Sequence, residues 1–261
     1  MLSRLLSFWL NDMGQRNVKL TIAYDGSAYH GWQRQLEDIS TVQQVLEEAA
    51  GRAVGGPVSV RGASRTDTGV HAVGQVANFF TNTPIPSDRL HRVITKYLPA
   101  DIRVTRVEDV SDDFDAIASV QSKLYRYTVF NHYEMPLSVK NNCYHYYYKC
   151  DETLMQKASF DLLGEHDFTS FTTNSQDNQR RSLVRTLYRC QVWRKYHYIY
   201  FDVEGGGFLY HMVRNIVGML LDIGRGHCPA DCIPGILAAL DRQAAGPMAP
   251  AGGLCLQWIK Y

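Results

Sequence analysis

Val18, Leu20, Ile22 and Tyr24 alternate with Lys19, Thr21 and Ala23, a period of two that predicts a half-buried strand. Asp25-Gly26 predicts a turn, and the loop after it, YHGWQRQ, holds Tyr29, His30, Trp32 and Arg34. At Ser40-Thr41 the period changes. Val42, Val45, Leu46, Ala49 and Ala53 recur at helical spacing, and Thr41 with Gln44 has capping-box spacing, so a helix is predicted from that point. Val58 and Val60 predict the start of a strand that runs into a glycine-framed loop, VRGASRTDTGVHA. Gln75 to Phe80 reads as the next strand, and a short helix is predicted near Arg89 to Tyr97.

The second half repeats the mixture. Leu124 to Phe130 predicts a strand with Tyr125, Tyr127 and Val129 on one face. A turn at Asn141-Asn142 leads to a tyrosine-rich stretch, Tyr144 to Tyr148. Residues 153 to 163 read as helix, Leu187 to Trp193 and Tyr198 to Val203 as strands, and a long apolar helix is predicted from near Gly207. A closing strand, Leu254 to Tyr261, follows the loop GPMAPAGG. Strands interleaved with helices in both halves argue for α+β sheets covered by helices. The division drawn is an N-terminal extension over 1–16, one half over 17–112 and a second over 113–261.

Composition changes this picture little. A chain of 261 residues, 45% hydrophobic and 20% charged, has ample core for two such halves. The net charge of +1 does not advertise a nucleic-acid partner, so any basic face must be local. Six cysteines, at 143, 150, 190, 228, 232 and 255, form no Cys-x-x-Cys pair; they read as reduced thiols rather than metal ligands, which fits the cytoplasm. The N-terminal run is broken by Ser3, Arg4 and Ser7, and no run is long enough to suggest a membrane span.

Two places carry candidate chemistry. The loop around Asp67 holds a single carboxylate among small residues, with Arg65 two positions before it and His71 four after. The helix FLYHMVRNIVGMLL is apolar around most of its circumference but has Arg214 in the middle, on one stripe with His211 and Gly218. A buried guanidinium costs several kcal/mol unless it is paired, so Arg214 either meets a carboxylate such as Asp67 or snorkels to water. The residues alone leave both outcomes open.

The stretches YDGSAYHGWQRQ, TVQQVLEEA, GASRTDTGVHAVGQVANF, YLPADI, YRYTVFN, LLGEHDFTSF, FLYHMVRNIVG and GGLCLQWIKY, in that order, resemble the TruA family of tRNA pseudouridine synthases. The resemblance implies an enzyme that isomerises uridine to pseudouridine in the anticodon stem-loop of tRNA, at about positions 38–40 of the RNA, on a base first swung out of its stack. It implies Asp67 as the catalytic aspartate, Tyr125 packed on the target uracil and Arg214 as the ion-pairing arginine. It also implies Leu254 lining the base pocket and Arg65 handling the flipped nucleotide. Arg34, Lys123, Arg126 and Arg181 are candidate contacts to RNA. The implied fold is two ferredoxin-like or RRM-like halves that form a continuous, mostly antiparallel sheet flanked by helices, with the active cleft between them, in a homodimer.

Two positions depart from the family pattern. Ile117 follows Phe114-Asp115-Ala116, and Tyr210 precedes His211, where arginines are frequent. The chemistry implied is redox-neutral, so no cofactor and no metal is expected; one carboxylate suffices if it attacks the sugar or base, or takes a proton from C2′. The rival readings are a non-catalytic RNA-binding module or RNA-folding chaperone, and an aspartate hydrolase pairing Asp67 with His71. The hydrolase lacks a nucleophile elbow.

Overall fold

Strand β1 (Arg16–Tyr24) buries Val18, Leu20, Ile22 and Tyr24, as the alternation predicts. The computed structural model describes residues 14–35, 39–173 and 182–261. Most of the N-terminal extension, together with Arg180 and Arg181, therefore lies outside the described residues. The chain divides into two units, residues 1–120 and 121–261, and each is α+β.

In the first unit the antiparallel order is β4 (Ile102–Val110), β1, β3 (His71–Thr81), with the two-residue β2 (Arg61–Gly62) paired to β3. Helix α1 (Val42–Val54) starts where the Gln44 N–H donates to Thr41 Oγ1 at 3.4 Å. Helix α2 (Ser87–Lys96) packs on β4 and against α1. The buried face of α1 includes Gln43 and Glu47 beside Val42, Leu46 and Ala49. Glu47 accepts the Val60 N–H at 3.0 Å, and Gln43 donates to the Val60 carbonyl at 2.9 Å. Those side chains satisfy backbone groups that a neighbouring strand would otherwise have to satisfy. The strand predicted from Val58 therefore shrinks to β2.

Strand β4 was not predicted. Its register against β1 slips between Thr21 and Ile22, so the inward residues run Ile102, Val104, Val107 and the period of two breaks at the bulge. Residues past 112 belong with this unit. Asn17 Nδ2 donates to the Ser111 and Phe114 carbonyls at 3.0 and 2.8 Å, and the Ala116 N–H donates to Asn78 Oδ1 at 3.0 Å. Both asparagines are buried. The boundary thus falls at 120/121, eight residues beyond the one drawn from sequence.

In the second unit the antiparallel order is β10 (Leu254–Lys260), β5 (Ser122–Phe130), β9 (Tyr198–Gly205), β8 (Val184–Lys195), β7 (Gly164–Asp167), and β6 (Tyr144–His145) joins β5 in parallel. One face buries Tyr127, Val129, Ile199, Phe201, Val203 and Val192. Helix α3 (Glu152–Ser159) packs on β8 and on α4 (Met212–Gly224), and α4 packs on β5. Each large apolar side chain so buried contributes about 1.5–3 kcal/mol. Strand β7 and helix α5 (Ile233–Ala239) were not predicted; β7 has only four residues, and α5 carries Pro234 and Gly235.

All thirteen residues of α4 are buried. It begins at Met212, five residues later than predicted. The Tyr210 carbonyl is taken by Thr172 Oγ1 at 3.0 Å and by the Thr173 N–H at 3.3 Å, and His211 adopts φ 62°. His211 therefore caps the helix instead of sharing its stripe. Arg214 and Gly218 remain on that stripe.

Candidate active site

Asp67 leads a tight turn. The Val70 N–H returns to the Asp67 carbonyl at 3.1 Å, and Gly69 supplies the positive φ of 79° at the third position, which a side chain would strain. The turn is held on several sides. Trp32 N–H donates to the Thr66 carbonyl at 3.0 Å, Gly69 N–H donates to the Tyr29 carbonyl at 3.3 Å, and Tyr24 Oη lies 2.8 Å from Thr66 Oγ1. Gln75, fully buried in β3, donates from Nε2 to the Ser64 carbonyl at 2.6 Å and accepts the Ser64 N–H at 3.3 Å. Asp67 is left half-buried and Arg65 exposed.

Glycines make this cradle possible. A Cβ on Gly26 would run into the Val70 carbonyl, one on Gly31 into the Thr66 carbonyl, and one on Gly62 into the Trp32 ring. Behind the turn, Tyr29 Oη donates to Asp101 at 2.8 Å. Burial first, then that carboxylate, pushes the Tyr29 phenol far above its usual range. Sequence reasoning placed Tyr29 and Trp32 in a loop but missed their grip on the Asp67 turn. It also missed Gln75, one of two buried amides in β3, the other being Asn78.

In the second unit Arg214 is 8% exposed, and its Nε donates to the Ala249 carbonyl at 2.8 Å. The Ala249 N–H in turn donates to the Arg214 carbonyl at 3.1 Å. Gly218 lets this segment lie directly on α4, since a Cβ there would strike the Pro247 carbonyl. The same segment runs on to Pro250, whose carbonyl accepts from Tyr127 Oη at 2.7 Å, and then to Leu254 at the start of β10. Leu254 is 5% exposed and pairs with Tyr127 across the strands. Tyr125, two residues earlier on β5, is 6% exposed and meets Phe208 edge-on with ring centroids 5.2 Å apart. Arg214, Leu254 and Tyr125 are thus fixed by one layer of packing around β5 and the 247–254 segment.

A family model described as tRNA pseudouridine synthase matches residues 20–117 and 158–261. The tRNA pseudouridine synthase A of Acetivibrio thermocellus is 43% identical over 246 residues, spanning 94% of this chain and 100% of that one. The enzyme of the same name from Ruminiclostridium cellulolyticum is 43% identical over 247 residues with the same coverage, and that of Aeromonas hydrophila is 43% identical over 244 residues, covering 90% of its length.

The chain belongs to the tRNA pseudouridine synthase family.

Among solved structures, an archaeal box H/ACA sRNP Nop10–Cbf5 complex is similar at TM-score 0.32 and 12% identity, covering 78% of this chain and 44% of that one. The segments matched to the family include Arg65, Asp67, Arg214 and Leu254, whereas Lys123, Tyr125 and Arg126 fall between them. These relatives lend no support to a non-catalytic RNA-binding module. Among the described residues, no group of three or more His, Cys, Asp or Glu side chains is placed to hold a metal ion, and no helix is long and apolar enough to cross a membrane.

The structure engages several candidate RNA contacts of this family member elsewhere. Arg126 grips Asp202 with two hydrogen bonds, at 2.6 and 2.8 Å, and lies over Trp193 and Tyr200. The Asp202 side chain is 2% exposed, so Arg126 neutralises a buried carboxylate. Arg126→Met is expected to cost about 3 kcal/mol in urea unfolding, with tRNA affinity changed little. A loss of affinity at intact stability would contradict this. Arg34 pairs with Glu47 at 2.9 Å, which is itself tied to Val60. Arg181 lies outside the described residues.

Lys123 is half-buried, and desolvation pushes its amine down from 10.5 to about 8. Between those two values the unfolded chain keeps the proton that the folded chain has released, so stability rises with pH across that window. Lys123→Met is expected to flatten this rise in unfolding free energies measured from pH 7.5 to 10 (about the window set by the two values); a slope unchanged from wild type would contradict the assignment. At the two departures from the family pattern, Ile117 is 60% exposed, and Tyr210 is 46% exposed and stacked on His211 with centroids 3.6 Å apart.

Proposed function

We propose that this protein isomerises uridine to pseudouridine in the anticodon stem-loop of tRNA, with Asp67 as its catalytic carboxylate. The observation that carries the reading is the match to the tRNA pseudouridine synthase family through both the Asp67 turn and helix α4. The reaction breaks N1–C1′, turns the uracil and joins C5 to C1′. The C5 proton leaves to solvent and N1 takes one up, so atoms and charge balance without a redox partner, group donor or cofactor.

Asp67 acts in its ionised form, either by adding covalently to sugar or base or by taking the C2′ proton. Arg214, its direction fixed by the Ala249 carbonyl, supplies the positive charge that the reaction needs. Tyr125 offers a flat ring to the uracil, Leu254 an apolar wall, and Arg65 a cation for the extruded nucleotide. Lys123, Arg181 and the N–H groups that Arg34 does not use on Glu47 supply contacts to phosphate, so tRNA binding weakens with salt, while Arg126 stays on Asp202. The cytoplasm and a homodimer complete the proposal; light scattering that reports a monomer at working concentration would remove the dimer.

Tritium release from tRNA labelled at uridine C5 tests the function. Wild-type protein releases tritium and forms pseudouridine without added cofactor. Binding without release would contradict the assignment.

A further inference from the structure

His71 follows the Asp67 turn directly, is 6% exposed, and has no part in the chemistry above. Its Nδ1 lies 3.2 Å from the Gly26 nitrogen, which donates to it, and 3.1 Å from Asp25 Oδ1. Its Nε2 is buried with no hydrogen-bond partner among the described residues. A ring kept for packing alone would not bury an unsatisfied nitrogen. A proton shuttle would need that second nitrogen open to substrate or solvent. Here one edge of the imidazole is anchored and the other is sealed.

We propose that His71 is a positioning residue for Asp67, its Nδ1 edge tying the start of β3 to the turn at Asp25–Ala28. As acceptor, Nδ1 takes the Gly26 N–H; as donor, it gives to Asp25. Either way it anchors the residue next to Val70, whose N–H closes the Asp67 turn. The same segment meets the turn at two further points: Gly26 lies against the Val70 carbonyl, and the Tyr29 carbonyl accepts the Gly69 N–H. The segment is itself fixed, because Asp25 N–H donates to the Asp101 carbonyl at 2.9 Å and Ser27 N–H donates to Asp25 Oδ1 at 2.9 Å. His71 adds a side-chain tie to a clamp made of backbone contacts and the Asp25 carboxylate. Loosening it leaves the fold but lets the carboxylate wander, and a displacement of about 1 Å costs a reaction on the order of 10²-fold.

This inference rests on Asp67 being the catalytic carboxylate, and two variants of equal polarity separate the tie from general damage. His71→Asn carries its amide to the place of Nδ1, and His71→Gln carries it towards Nε2. In single-turnover tritium release, His71→Gln is expected to fall roughly 10²-fold with tRNA affinity within about twofold of wild type, and His71→Asn to recover to within about fivefold. Equal losses in the two variants, a wild-type rate in His71→Gln, or a loss carried by tRNA affinity would each overturn the proposal. Amide exchange at Gly26, Gly69 and Val70 reads the tie without reference to activity. It accelerates in His71→Gln and not in His71→Asn, and unchanged exchange in His71→Gln would also overturn the tie. Should wild-type protein release no tritium, the role given to Asp67 fails, and the exchange comparison decides the tie by itself.

Discussion

Tritium release from tRNA labelled at uridine C5 is expected to fall by roughly 10⁴-fold or more when Asp67 is replaced by asparagine, a loss of about 5 kcal/mol of transition-state stabilisation. No other acid stands in the stretch from Val60 to Ala72, and Asp25, which meets the turn through His71, is engaged with Ser27 and His71. Asparagine keeps the size and removes the charge. The ties through Trp32, Tyr29, Tyr24 and Gln75 run to backbone atoms and to Thr66, so the turn should keep its shape and tRNA should still bind. The melting temperature is expected to move by only a few degrees, about 1 kcal/mol. Release at the wild-type rate would mean that another group does the chemistry.

Arg214→Lys is the second large effect. Lysine keeps the charge but replaces a planar fork of five donors with a single flexible ammonium. It loses the Nε bond to the Ala249 carbonyl and with it the fixed direction of the cation. Single-turnover release is expected to fall roughly 10²-fold while tRNA affinity stays within about threefold, because what is lost is aim rather than binding. Arg214→Ala removes the charge as well and is expected to fall further, with activity lost beyond what any drop in melting temperature explains. Wild-type turnover from a stably folded Arg214→Ala protein would refute the role.

What the sequence made legible follows from the reach of each signal. Strand β1, the Thr41 cap of α1 and the apolar girth of α4 are written in neighbouring residues, and each is where its pattern places it. Strand β4 is not, because a bulge breaks its period. The late start of α4 is set by Thr172 and Thr173, some forty residues upstream (38 in the case of Thr172 and Tyr210). The glycines and lone acid of the Asp67 turn were visible as a motif. The segment that cradles it, Gly26 to Trp32, showed only as a loop, since its grip depends on contacts between distant residues. Arg126 illustrates the same limit. On its strand it looked like a cation free for RNA, and its partner Asp202 lies 76 residues away.

The central proposal is that the Asp67 carboxylate and the Arg214 guanidinium both serve one reaction on a swung-out uridine. A double-mutant cycle on single-turnover tritium release tests it most directly, using Asp67→Asn, Arg214→Met and the two combined. The account predicts a coupling of about 2 kcal/mol in transition-state stabilisation, the double variant losing less than the two single losses added together. Losses that add to within about 0.5 kcal/mol would contradict it, because groups that serve one reaction together do not add in this way.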